Sequence, residues 1–171
     1  METLARPEMD KPIIAEPLGG LAVEQAVETL SPQLFDTLDL LSRGYSNIET
    51  GKLLNRSEEA IRSRRRKIIY KLHVSSIAEA VSRGFEAGIL TFEDKSKEFE
   101  GELTSAELHI LRLASRGLSV QQTADTRGTV RETAKAQRRN LYAELGAHDL
   151  PHAIRLAYEF GILKLPETVS D

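Results

Sequence analysis

The chain has 171 residues, 40% of them apolar and 29% charged, with a net charge of −3 and no cysteine. That length holds one or two small domains, and the missing thiols exclude a disulfide framework and a thiolate metal site. No apolar run approaches the ~18 residues of a membrane span, and the acidic start lacks the form of a signal peptide, so a cytoplasmic location with no membrane partner is expected.

Residues 1–28 carry Pro7, Pro12, Pro17 and Gly19-Gly20. They read as a mobile arm, with a short leading helix over residues 21–30. From there the chain repeats itself. Residues 30–90 align with 103–163 without a gap at an offset of 73, with 17 of 61 positions identical. Leu38 falls on Leu111, Ser42-Arg43-Gly44 on Ser115-Arg116-Gly117, Arg65-Arg66 on Arg138-Arg139, and Gly88-Ile89-Leu90 on Gly161-Ile162-Leu163. A gapless duplication predicts two copies of one unit. Their expected spans are 29–90 and 103–163, joined by an acidic linker at 91–102 and followed by a tail at 164–171. Residues 29–90 hold 10 basic and 7 acidic groups, and residues 103–163 hold 8 and 6. Both repeats are therefore basic between acidic flanks, and a local basic face is what meets phosphate.

Each repeat reads as four helices. The first opens at Ser31-Pro32, a cap followed by proline, or at Thr104-Ser105-Ala106-Glu107, a capping box. Leu34, Leu38 and Leu41 form its inward stripe, and Gly44 or Gly117 stops it. The second helix is short and opens with the boxes Ser46–Glu49 and Ser119–Gln122. Asn55 and Gly128 then share one position, where a left-handed backbone makes a tight turn. The third helix starts at Ser57 in repeat 1. Repeat 2 offers Thr129-Val130-Arg131-Glu132, a capping box one residue earlier in register. The fourth starts at Ser76 or Asp149 and stops at Gly88 or Gly161.

A short helix, a tight turn and a longer basic helix spell a helix-turn-helix, whose second helix enters the DNA major groove. In repeat 1, Ile61, Ile68 and Leu72 mark the inward face of that helix. Arg62, Ser63 and Arg66 lie away from it, and Arg62 and Arg66, four apart, share one face suited to bidentate contacts with guanine. Arg64, Arg65 and Lys67 flank that face and are assigned to phosphates.

The run Leu30-Ser31-Pro32, Leu38-Asp39-Leu40-Leu41-Ser42-Arg43-Gly44-Tyr45-Ser46-Asn47, Leu54, Ser57-Glu58, Ile61-Arg62, Ile68 and Lys71-Leu72-His73-Val74, closing with Ala78-Glu79-Ala80-Val81, resembles the C-terminal DNA-binding domain of LuxR/GerE-type transcriptional regulators. The resemblance covers all of repeat 1. It implies an all-α chain of two tandem four-helix helix-turn-helix domains, a bacterial-type regulator with double-stranded DNA as its partner. It also implies that Arg62, Ser63 and Arg66 face the groove while Ser46 and Ser57 lie near phosphates. Repeat 2 resembles the family through its alignment with repeat 1. There Lys135, Ala136 and Arg139 take the base-reading positions and Arg138 a phosphate position. It departs where Leu54 becomes Arg127 and where the usual Ser-Glu start becomes Val130-Arg131, which leaves its base reading open. Both copies place threonine, Thr50 and Thr123, where the family prefers an apolar residue. In that family a receiver or small-signal domain usually precedes the module. About 28 residues precede repeat 1, so no such switch is expected.

The resemblance further implies that the fourth helix makes the dimer contact. Ile77, Val81 and Phe85 in repeat 1 and Leu150, Ile154 and Tyr158 in repeat 2 repeat at i, i+4 and i+8. They either pack on their own repeat or join the two as an intramolecular pseudo-dimer, and a homodimer carrying four modules is a further arrangement. A pseudo-dimer would address half-sites about one turn, ~34 Å, apart. His148 and His152 stand four apart after Glu144, but Pro151 intervenes and their repeat-1 counterparts are Ser75 and Glu79. They read as surface or cap residues, and no metal or cofactor is expected. No phosphate loop, nucleophile elbow or placed carboxylate pair marks an enzyme. The alternative to DNA recognition is a protein-binding antagonist or co-regulator that keeps the fold and grips a partner regulator or RNA polymerase.

Overall fold

The computed structural model describes residues 30–92 and 98–166. The expected arm, most of the leading helix and the centre of the acidic linker lie outside the described residues. Among those described there are eight helices and no strand. The first four are α1 (Pro32–Ser42), α2 (Asn47–Leu53), α3 (Glu58–Leu72) and α4 (Ile77–Glu86). The second four are α5 (Ser105–Ser115), α6 (Val120–Arg127), α7 (Arg131–Leu145) and α8 (Leu150–Glu159). Every boundary recurs at the sequence offset of 73 except the end of α6, which runs one residue further than its counterpart.

The local signals account for these bounds. Ser31, Ser46, Ser57, Ser76, Thr104, Ser119 and Asp149 each accept a backbone N–H with the side chain at a helix start. Ser46–Glu49, Thr104–Glu107 and Ser119–Gln122 close reciprocal capping boxes. Asn55 and Gly128 are both left-handed, with φ of 54° and 62°, which turns α2 onto α3 and α6 onto α7.

One start differs from expectation. Thr129 and Glu132 do not box the beginning of α7. Its cap is Val130, which supplies no side-chain hydrogen bond. The Thr129 N–H donates to Ala124 O at 3.0 Å, as Arg56 does to Gly51 O in repeat 1, so Thr129 belongs to the preceding turn and its N–H is not free for Glu132. A cap then falls on a residue with no acceptor, leaving an amide of the first turn without protein capping.

Leu34, Leu38 and Leu41 from α1, Ile61, Ile68 and Leu72 from α3, and Ile77, Val81 and Phe85 from α4 are buried in repeat 1. Repeat 2 has smaller residues at two of these places. Ala114 stands for Leu41 and Ala134 for Ile61, both fully buried. Thr50 and Thr123 are fully buried, and neither hydroxyl finds a hydrogen-bond partner. The position that holds Leu54 in repeat 1 is only half-buried, so Arg127 sits there without strain on the core and donates to Gln137.

The two cores are one. A single apolar cluster joins α1, α3 and α4 to α5, α7 and α8. The broadest helix contact lies between α4 and α8, flanked by α1 on α8 and α4 on α5. The contacts come in pairs related by the offset, as a two-fold interface requires. Ser82 on α4 shares a 2.9 Å hydrogen bond with Tyr158. Their mates exchange roles, for the Arg155 guanidinium lies 5.6 Å from the Phe85 ring centre. Phe85 and Tyr158, themselves mates, stack at 5.1 Å. Gly44 abuts His148 and His152, and Gly117 abuts Ser75 and Glu79. Thus Ile77, Val81, Phe85, Ile154 and Tyr158 are buried and Leu150 is half-buried along a seam that joins the repeats.

Candidate nucleic-acid interface

The residues assigned to base contacts lie on the outer faces of α3 and α7. Ile61, Ile68 and Leu72 fix the rotation of α3 by being buried, which turns Arg62 and Arg66 outward. Their side chains are 54% and 70% exposed. Ser63 is half-buried beside them. In α7 the buried residues are Ala134, Leu141 and Leu145, and Lys135 and Arg139 are exposed with Ala136 half-buried. Each trio occupies the same face of its helix.

Neither arginine of the α3 face is unengaged. Both Nε and Nη2 of Arg62 donate to Glu58 Oε1, at 3.1 and 2.6 Å. Nη2 of Arg66 donates to Glu59 Oε1 at 3.0 Å. The Glu58 carboxylate raises the Arg62 pKa above its ordinary value. In α7 the residue facing Glu58 by offset is Arg131, so Lys135 has a cation one turn before it.

The flanking cations divide. Arg64 turns back onto α1 and donates to Thr37 Oγ1 at 3.3 Å and Gln33 Oε1 at 3.4 Å. Arg65 donates to Asn47 Oδ1 at 3.1 Å, tying α3 to the first residue of α2, and burial pushes its pKa down. Its mate Arg138 does the same service in repeat 2 by donating to Leu118 O at 2.9 Å. Each of these three guanidinium groups, assigned to phosphates from the sequence, has a partner within its own repeat, because an arginine stem of that length reaches the neighbouring segment. Lys67 is exposed.

Ser57 accepts from the Ala60 N–H at 3.2 Å and is itself exposed. Ser46 is exposed too, but its N–H already donates to Glu49 Oε2 at 2.8 Å. That bond, with the Ser46 hydroxyl, holds the Glu49 carboxyl below the usual carboxylate range. A phosphate arriving there meets a carboxylate in repeat 1, and a neutral Gln122 in repeat 2.

Two residues of consequence were not singled out from the sequence. Tyr70 is 79% exposed and follows Arg66 by four residues; with Ser63, Arg66, Lys67 and Lys71 it lines a shallow groove along α3. Its signal was there: an aromatic on the i, i+4 line through Arg62 and Arg66. Arg155 is the other. An arginine between Ile154 and Tyr158, where repeat 1 has Ser82, breaks an otherwise apolar seam and so calls for a buried acidic partner.

His148 and His152 lie side by side at the start of α8. His152 Nδ1 accepts from the His148 N–H at 3.2 Å, and the two rings meet edge to face at 5.2 Å. The chain matches no family model, no curated protein and no solved structure, so its functional reading rests on these residues and their geometry.

Proposed function

We propose that the chain is a sequence-specific DNA-binding transcriptional regulator, built from two helix-turn-helix units similar to the LuxR C-terminal type. The observation that carries this is the outer face of α3. It follows a capped short helix and a left-handed turn, and it presents Arg62 and Arg66 one turn apart and exposed. Guanidinium groups so spaced suit bidentate contacts to successive guanines in the major groove, each contributing about 1–3 kcal/mol of discrimination. The shared α4–α8 seam supports a pseudo-dimer within one chain, with the joint replacing a concentration-dependent association. Selection of bound sites from random duplexes tests the reading. The full chain should enrich a guanine-containing motif in two parts, about one helical turn apart. Recovery of no motif from a chain that retains its helical content contradicts it.

A protein-binding antagonist or co-regulator is the second reading, and one feature favours it. Phe35, Tyr45, Ile48 and Leu53 of repeat 1 are all exposed, whereas repeat 2 carries Gln121 and Thr126 at the last two of these positions. Exposed apolar residues gathered on one repeat suit a protein partner such as another regulator or RNA polymerase. A chain of that kind shows negligible affinity for random duplex even near 50 mM salt, where a DNA binder gains most from counterion release.

A further inference from the structure

The two candidate reading faces carry opposite electrostatic arrangements. On α3 the line at i, i+4 and i+8 is Glu58, Arg62 and Arg66, and both arginines are ion-paired, to Glu58 at 2.6 Å and to Glu59 at 3.0 Å. On α7 the same line is Arg131, Lys135 and Arg139, and all three are exposed. Among the described residues its ion pair is a loose contact of Arg131 with Glu132 at 3.8 Å. Repeat 1 thus pairs both of its arginines with its own carboxylates, and repeat 2 offers a cationic stripe whose one flanking carboxylate, Glu132, makes only a loose contact with Arg131.

These faces suit different parts of a duplex. A phosphate backbone is a continuous line of negative charge, and three cations in a row on one helix face release counterions on meeting it whatever the bases. The α3 face is unsuited to that contact, because Glu58 and Glu59 repel phosphates while holding the arginines. Its arginines change partner with net benefit only where a base edge supplies well-placed acceptors. The helices sit in one rigid frame, since α4 and α8 share a core. The spacing of the two faces is therefore fixed by the fold.

We propose, resting on the DNA-binding reading above, that the target is asymmetric: repeat 1 discriminates bases through Arg62 and Arg66, and repeat 2 grips phosphates through Arg131, Lys135 and Arg139. Glu58 and Glu59 are positioning residues that suppress attachment to unrelated sequence.

The test titrates the full chain against its selected duplex and a random duplex across salt concentrations. Arg131→Ala/Lys135→Ala/Arg139→Ala should weaken both duplexes alike and flatten the log–log salt slope by roughly two to three units. Since the three side chains are exposed, the fold should persist; Lys135→Gln alone, with a slope change of about one unit, gives the same reading from a milder change. Glu58→Gln/Glu59→Gln should strengthen random-duplex binding by about three- to tenfold and narrow the discrimination between duplexes. Loss confined to the selected duplex in the repeat-2 variants would overturn the proposal, and so would an unchanged salt slope. Failure of the unaltered chain to bind either duplex at ~50 mM salt would instead remove the DNA-binding reading on which it rests.

Discussion

The Arg155 guanidinium of α8 donates to the Asp39 carboxylate of α1 at 3.0 Å, across 116 residues of sequence. Arg155 is only 4% exposed. It also donates to Ser42 Oγ at 2.8 Å, to Thr91 O at 3.2 Å and to Glu159 Oε1 at 2.9 Å. One side chain thus satisfies groups from both repeats and from the segment leaving α4. A buried cation so completely paired specifies how the repeats meet, and removing it withdraws a buried partner from Asp39 and Glu159. Arg155→Ala should destabilise the chain by about 3–5 kcal/mol in denaturant unfolding. Arg155→Lys should recover only part of this, because a point charge cannot serve four acceptors in the plane of a fork. Wild-type stability in Arg155→Ala would mean that the seam is held by apolar packing alone.

Gly117 and Gly161 separate two effects that glycines combine. Both have positive φ, at 86° and 69°. A Cβ on Gly161 meets nothing within 4 Å, whereas one on Gly117 falls 2.2 Å from Glu79 Oε2 and Ser75 Oγ of the other repeat. Gly161→Ala should cost about 1–2 kcal/mol for the left-handed backbone alone. Gly117→Ala should cost clearly more and should also loosen α4 from α5, visible as faster amide exchange in both helices. Equal costs at the two positions would show that the repeats do not press on each other there.

Val130 caps α7 without a side-chain acceptor, while its mate Ser57 caps α3 with one. Val130→Ser should therefore stabilise the chain by about 0.5–2 kcal/mol, and Ser57→Ala should destabilise it by a similar amount. Val130 is exposed, so little apolar packing is lost in the exchange. Thermal unfolding of the two variants checks the pair of opposite signs.

The helix pattern was legible because its signals are local. Caps, stop residues and inward stripes occupy a few adjacent positions, and the duplication presented each twice, so the bounds of three of the four helix pairs recur at the offset of 73. Val130 escaped because the capping-box pattern at Thr129 is genuine as a pattern. The choice went to the turn, where the Thr129 N–H is already used by Ala124 O. The partners of Arg64 and Arg65 were equally out of reach. An arginine-rich helix does not reveal which guanidinium groups reach back to α1 and α2 until the helices are placed. The rotation of α3 was legible from Ile61, Ile68 and Leu72, and with it the outward position of Arg62 and Arg66.

His152 should make the seam sensitive to acid. Burial, then the neighbouring His148, lowers its pKa from the ordinary value of 6.5. Its Nδ1 accepts a hydrogen bond from the His148 N–H, a role open only to the neutral ring. Asp149 and Glu159 oppose this shift, and Arg155 and His148 reinforce it. The folded pKa lies below the unfolded one, so the unfolded chain takes up the proton first. The contribution is intact above pH ~6.5 and is lost as pH falls from there through the folded value. Melting temperature should drop over that window, and His152→Gln should flatten the drop. An unchanged acid dependence in His152→Gln would exclude this histidine as its source.

The central claim is that the outer face of α3 reads bases, and paired affinities of Arg62→Ala for a selected duplex and a random one test it most directly. Arg62→Ala should lose about 1–3 kcal/mol on the selected duplex, with random-duplex binding nearly unchanged and specificity relaxed at the contacted base. Equal losses on both duplexes would contradict it.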